Sequence, residues 1–239
     1  MLNVFSLSVL SASLIAILAI LTFIFLFKLR DLNESIKQNQ GLKKNLDIFN
    51  FDIIQTLTKI IDAKDPYTGN HSVRVRQYSK LIAEKLKLPV VEIKKIEYAA
   101  LMHDIGKIAV SETILRKDCD LSDEEMEIIK MHPIIGYNIA VSMTFFSDTA
   151  PLILYHHERY DGNGYPEKLS KNQIPIGARI ICVADAYDAM VSDRPYRKSL
   201  PKENAILQLQ KESGIQFDPI IVQAFAEILR LPNTLKDVS

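Results

Sequence analysis

Polar and apolar positions along this chain of 239 residues fall into three regimes. From Met1 to Phe27 there is no charged side chain, and the run VFSLSVLSASLIAILAILTFIFLF is long enough, as one helix, to cross a hydrocarbon layer of roughly 30 Å. The pattern predicts a transmembrane helix over 1–27. A cleaved signal peptide would carry a basic n-region and an apolar run of only roughly 7–15 residues, neither of which is seen. Residues 28–46, KLRDLNESIKQNQGLKKNL, are polar with sparse leucines, and Gly41 interrupts any continuous heptad. They read as a juxtamembrane linker, with at most a weak stalk for a homodimer. From Asp47 the spacing turns helical: Ile48, Phe49, Phe51, Ile53, Ile54, Leu57, Ile60 and Ile61 recur at threes and fours until Asp65-Pro66 stops the run.

The same rhythm continues, with helices expected near 71–87, 91–104, 122–131, 134–143, 148–159, 176–191, 202–213 and 219–230. Ser122 with Glu125 is a capping-box pattern, Asp218-Pro219 sets a cap before a first-turn proline, and Gly214 marks a helix stop. No alternating β-branched run is convincing; RIICVADAY, the best strand candidate, continues into a helical pattern. The expected fold is all-α, one irregular helical bundle over 47–239.

Composition changes the picture in two ways. Lys+Arg and Asp+Glu are both 29, so the formal charge is zero and no nucleic-acid polymer is announced as partner, although a local basic pocket for a small phosphate ligand is compatible with it. Cys119 and Cys182 lie far apart and fit free thiols in a reducing compartment. Lys28, Arg30, Lys37, Lys43 and Lys44 all follow the apolar run, so the positive-inside bias puts the remainder in the cytoplasm, on a single-pass inner-membrane anchor.

The chemistry lies in five histidines, His71, His103, His132, His156 and His157, each beside a proline, a second ligand type or a helix boundary. His103-Asp104 enters the end of an apolar, small-residue helix, where an unpartnered carboxylate is disfavoured by several kcal/mol. His132 ends an amphipathic helix before Pro133, His156-His157 ends PLILY, and His71 opens a helix after DPYTGN. Asp185 is a carboxylate on the otherwise apolar helix around RIICVADAYDAM. Seven such groups exceed the roughly three protein ligands that one catalytic ion takes, which points to two ions with a bridging carboxylate. Nitrogen and oxygen donors without thiolate suit divalent iron, manganese, nickel or zinc.

HDIGK at 103–107 and HHERYDGNGYP at 156–166, in order with DAKDPYTGNHSVRV, HPIIGYNIA, IPIGARIICVADAYDAMVSDRPYR and FDPIIVQAF, resemble the HD-GYP subgroup of the HD-domain metal-dependent phosphohydrolases. The likeness covers about Asp62 to Phe225. It implies a cytoplasmic phosphodiesterase that hydrolyses cyclic di-GMP to linear pGpG and GMP in bacterial second-messenger signalling. Another cyclic dinucleotide as substrate, or a nucleotide-binding signalling module that meets other proteins, is the alternative. By resemblance, His71, His103, Asp104, His132, His156, His157 and Asp185 are metal ligands, with Asp104 bridging two divalent ions, iron or manganese foremost and nickel or zinc compatible. Lys107 meets the substrate phosphate, and Tyr165, Arg194 and Arg197 help hold the ligand. The third-metal glutamate of some members is replaced by Tyr67, which favours two ions. Asp161 reads as a turn former, and Asp188, one turn beyond Asp185, as an orienting group outside the ligand set.

Overall fold

Apolar residues at threes and fours carry the chain into helices wherever caps and prolines allow. The computed structural model describes residues 2–64, 70–117, 119–193 and 198–231, with backbone alone for 2–17, 19, 62 and 63. No strand is found among these residues; the one isolated bridge joins Ser213 and Phe217. Two units separate, Met1–Asp52 and Ile53–Ser239. In the first, charged side chains appear on the helix beyond residue 27, among exposed apolar ones such as Leu32, Leu42 and Phe49, with an exposed Arg30–Glu34 pair at 3.3 Å.

Helices α1 (Leu2–Lys64), α2 (His71–Lys85), α3 (Val90–Met102) and the short α4 (Glu112–Leu115) are followed by α5 (Asp123–Lys130) and α6 (His132–Ser142). Then come α7 (Ala150–Leu154), α8 (Ile176–Val191), α9 (Lys202–Lys211) and α10 (Pro219–Arg230). The predicted caps form. Ser122 and Glu125 make the reciprocal capping box, the Asp218 side chain accepts from the Ile220 N–H, and Gly214 takes φ 80°.

In the second unit, α2 packs on α3 and α8, with α9 and α10 closing behind. Val75, Ile82, Ile96, Ile180, Ile181 and Phe225 are buried between them. Tyr78, Tyr187 and Phe225 join α2, α8 and α10 through ring centroids 5.0–5.7 Å apart. Each such pair contributes about 0.5–1.5 kcal/mol beyond its area. From α1, Ile54 and Ile61 are buried, and Thr58 Oγ1 donates to the Leu101 carbonyl at 3.1 Å. The chain after α3 tightens into a 3₁₀ helix, Ile105–Ala109, that lies against α6. A Cβ at Gly106 would sit 1.9 Å from His132 O and 2.7 Å from Gly136 N, so this approach requires glycine.

Helix α1 runs through the linker and Gly41, where one interior glycine costs only about 1 kcal/mol. Two local expectations are corrected. The helix expected over 148–159 is a 3₁₀ turn, Ser147–Thr149, then α7, and the chain turns at Tyr155, ahead of His156 and His157. His132 opens α6 and does not end α5, since Pro133 lacks only an N–H that a first turn leaves free. Among the described residues no helix is long and apolar enough to cross a membrane. The span expected over 1–27 lies mostly outside the residues whose side chains are described.

Candidate metal centre

Helix ends deliver six of the seven ligand candidates, and one helix interior delivers the seventh. His71 is the first residue of α2, entered through Asn70 at φ 59°. His103 and Asp104 occupy the turn between α3 and the 3₁₀ helix. His132 begins α6, His156 and His157 follow α7, and Asp185 projects from α8. Close approach at Gly106 brings the second and third of these segments together.

All seven converge. His132, His156 and His157 form one group, His71, His103 and Asp185 a second, and His103, Asp104 and His156 a third, with one ligating atom per residue within 4.8 Å of the others. The groups share His103 and His156, so they are one cluster. Asp104 faces both ways: Oδ2 lies 3.4 Å from His103 Nε2 and Oδ1 lies 3.4 Å from His132 Nε2. Lys107 Nζ stands 2.8 Å from Asp104 Oδ2, and the Tyr165 ring stacks on His157 at 4.9 Å. Arg194 and Arg197, expected to hold substrate, and Tyr67 lie outside the described residues.

Hydrogen bonds set the tautomers. The Nδ1–H groups of His103, His132 and His156 donate to the carbonyls three residues earlier, Ala100, Ile129 and Ile153, at 2.8, 2.7 and 2.6 Å. Each Nε2 is thereby left as a lone pair aimed into the cluster. His132 Nε2 and His156 Nε2 face each other at 3.3 Å, and His103 Nε2 is buried with no hydrogen-bond partner. Lone pairs opposed in a buried site call for a cation between them. Burial, with neighbouring imidazoles, holds His156 well below the usual range and His157 down to about 3, and burial lowers His132. These rings are neutral, as ligation requires. Burial opposes charge on Asp104, yet the Lys107 ammonium beside it holds it well below the carboxylate range. The donor set therefore fits divalent transition metals held by nitrogen and oxygen. Neither cysteine belongs to these groups.

Asp188 takes the orienting position expected of it, on His71. Burial works against charge on His71, but hydrogen bonds to Asp185 and Asp188 raise it to about 10. Asp188 Oδ2 holds His71 Nδ1 at 2.7 Å, while Arg74 grips the same carboxylate at 2.6 and 2.9 Å and Ser192 hydrogen-bonds it at 3.3 Å. This is the orienting shell of a ligating histidine. Arg74 and Ser192 were not identified from the sequence; the only local sign was Asp188 one turn from Asp185. Asp188→Asn should weaken Mn²⁺ retention about 10–100-fold in competition with a chelator. Unchanged retention in a folded variant would remove Asp188 from that role.

Comparison with known proteins follows the same residues. A family model described as HD domain matches residues 55–221. The chain is similar to a cyclic di-GMP phosphodiesterase of Thermotoga maritima, 39% identical over 192 residues, 80% of this chain and 51% of that protein. It is also similar to the cyclic di-GMP phosphodiesterase response regulator RpfG of Xanthomonas campestris, 38% identical over 209 residues, 83% of this chain and 55% of that one. The chain thus spans about half the length of the curated relatives it matches. A solved cyclic GMP-AMP-specific phosphodiesterase of Vibrio cholerae superposes with a TM-score of 0.61 over 78% of this chain and 51% of that one. At 19% identity this shows the fold.

Proposed function

We propose that this chain, which belongs to the HD domain family and has the HD-GYP type of site, is a membrane-anchored phosphodiesterase that hydrolyses cyclic di-GMP to linear pGpG and GMP. The observation that carries this is the cluster, among the described residues, of five imidazoles and two carboxylates, all buried but for the half-buried His157 and Asp185, with an ammonium at its edge. The two relatives with 39% and 38% identity are both cyclic di-GMP phosphodiesterases, which supports the substrate class.

His71, His103, Asp104, His132, His156, His157 and Asp185 would hold two divalent ions, which when bound lower the pKa of a coordinated water and polarise the phosphate. The chain's own groups do the rest. Asp104, with one oxygen toward His103 and the other toward His132, ties the two halves of the cluster together. Lys107 neutralises Asp104 at rest and is near enough for its ammonium to stabilise charge developing on a phosphate oxygen. The family resemblance gives Arg194 and Arg197 the holding of the ligand, and a guanidinium suits bidentate contact with phosphate. Tyr165, stacked on His157, borders the cluster where substrate would sit.

Full-length chain in detergent, loaded with Mn²⁺ or Fe²⁺ under reducing conditions, should convert cyclic di-GMP to pGpG and then GMP, resolved by ion-exchange chromatography. Cleavage of cyclic GMP-AMP in preference to cyclic di-GMP would move the substrate within the class. Tight binding of both without product would make the chain a signalling module. Anchoring in the inner membrane, with the cluster in the cytoplasm, is supported by the uncharged run to Phe27 and the basic residues that follow. Such a chain should stay in the membrane pellet through salt and carbonate washes; recovery in the supernatant would sink the anchor.

A further inference from the structure

Four of the five imidazoles are fixed through Nδ1, three on carbonyls and His71 on Asp188. Among the described residues His157 makes no such bond. Its ring instead lies nearly parallel to Tyr165, with centroids 4.9 Å apart and planes at 26°. The Tyr165 N–H also donates to the His157 carbonyl at 3.3 Å. The His157 ring is thus held between Tyr165 on one side and the rings of His156, 4.0 Å away, and His132, 5.0 Å away.

Tyr165 belongs to a segment that folds back onto 157–159. A Cβ at Gly164 would lie 2.4 Å from Arg159 N and 2.5 Å from Glu158 Cα, so glycine alone permits the contact. Glu158, only 2% exposed, sends its side chain toward the same segment. Its Oε1 accepts from the Glu167 N–H at 2.7 Å, next to Lys168, which adopts φ 56°. Glu158 Oε2 is buried without a hydrogen-bond partner, so the carboxylate is retained at a cost in desolvation.

We propose that Glu158 is a positioning residue: by holding the Glu167 N–H it seats Tyr165 on His157, and so helps orient the one imidazole of the cluster for which no Nδ1 hydrogen bond is found among the described residues. The inference rests on the cluster being a metal centre and is independent of which dinucleotide is cleaved.

The test uses full-length chain in detergent and Mn²⁺ alone, with affinity measured by chelator competition and no substrate present. Glu158→Leu removes the acceptor at similar size; Tyr165→Leu removes the stacking ring. Each should weaken Mn²⁺ binding about tenfold, within the range for residues that orient metal ligands. The double variant should bind no more weakly than either single one, because both act through His157. Hydrogen exchange at the Glu167 amide should accelerate in Glu158→Leu. Unchanged Mn²⁺ affinity in either folded variant, or losses that multiply in the double variant, would overturn the proposal. Failure of every cyclic dinucleotide to turn over, with these Mn²⁺ losses observed, would instead strike only the proposed activity.

Discussion

Asp104→Ala should abolish hydrolysis, with kcat down by about a thousandfold or more, which is about 4 kcal/mol at 1.36 kcal/mol per decade. The reason is placement: one buried carboxylate addresses His103 with one oxygen and His132 with the other, each at 3.4 Å. No other carboxylate among the described residues joins His103 and His156 in one group. The variant also leaves Lys107 and the surrounding imidazoles without their shared counter-charge, so metal content should fall together with activity. Asp104→Asn keeps the volume and separates the loss of charge from the loss of packing. Full metal content and activity in either variant would show that the cluster is not organised around Asp104.

Lys107→Ala should lower kcat about 10²–10³-fold while metal content is kept, the loss expected when one preorganised donor to a developing oxyanion is removed. A purely local role for Lys107, neutralising Asp104 at 2.8 Å, predicts something else. Without that ammonium the carboxylate would be a stronger ligand, so metal affinity would rise and kcat would hold. Elemental analysis beside steady-state kinetics distinguishes the two, and Lys107→Arg should recover part of the rate.

How far the sequence reached depends on whether a feature is local. Helix positions were legible because each helix buries one face, and Ser122 and Asp218 mark starts with side chains that bond within their own first turn. The stretch 148–159 misled because PLILY is too short to tell a helix from a turn, and the chain bends at Tyr155. The ligand residues were legible as types at helix boundaries. Their convergence was expected from their number and from the family resemblance; what was not legible is how it is built, with Gly106 letting the 3₁₀ helix press against α6. Asp188 meets His71 across 117 residues and Arg74 across 114, separations with no local signal. Glu158 stands beside His157 in the sequence, yet its use is set by amides that return nine residues later.

A two-ion hydrolytic site ties turnover to the number of ions bound. Metal-free, full-length chain titrated with Mn²⁺ reads this out as cyclic di-GMP hydrolysis against ions bound per chain. Hydrolysis should be absent without metal, saturate at two ions per chain, and vanish again when a chelator strips them. Undiminished hydrolysis by metal-free chain, or no hydrolysis with two ions bound, would contradict it.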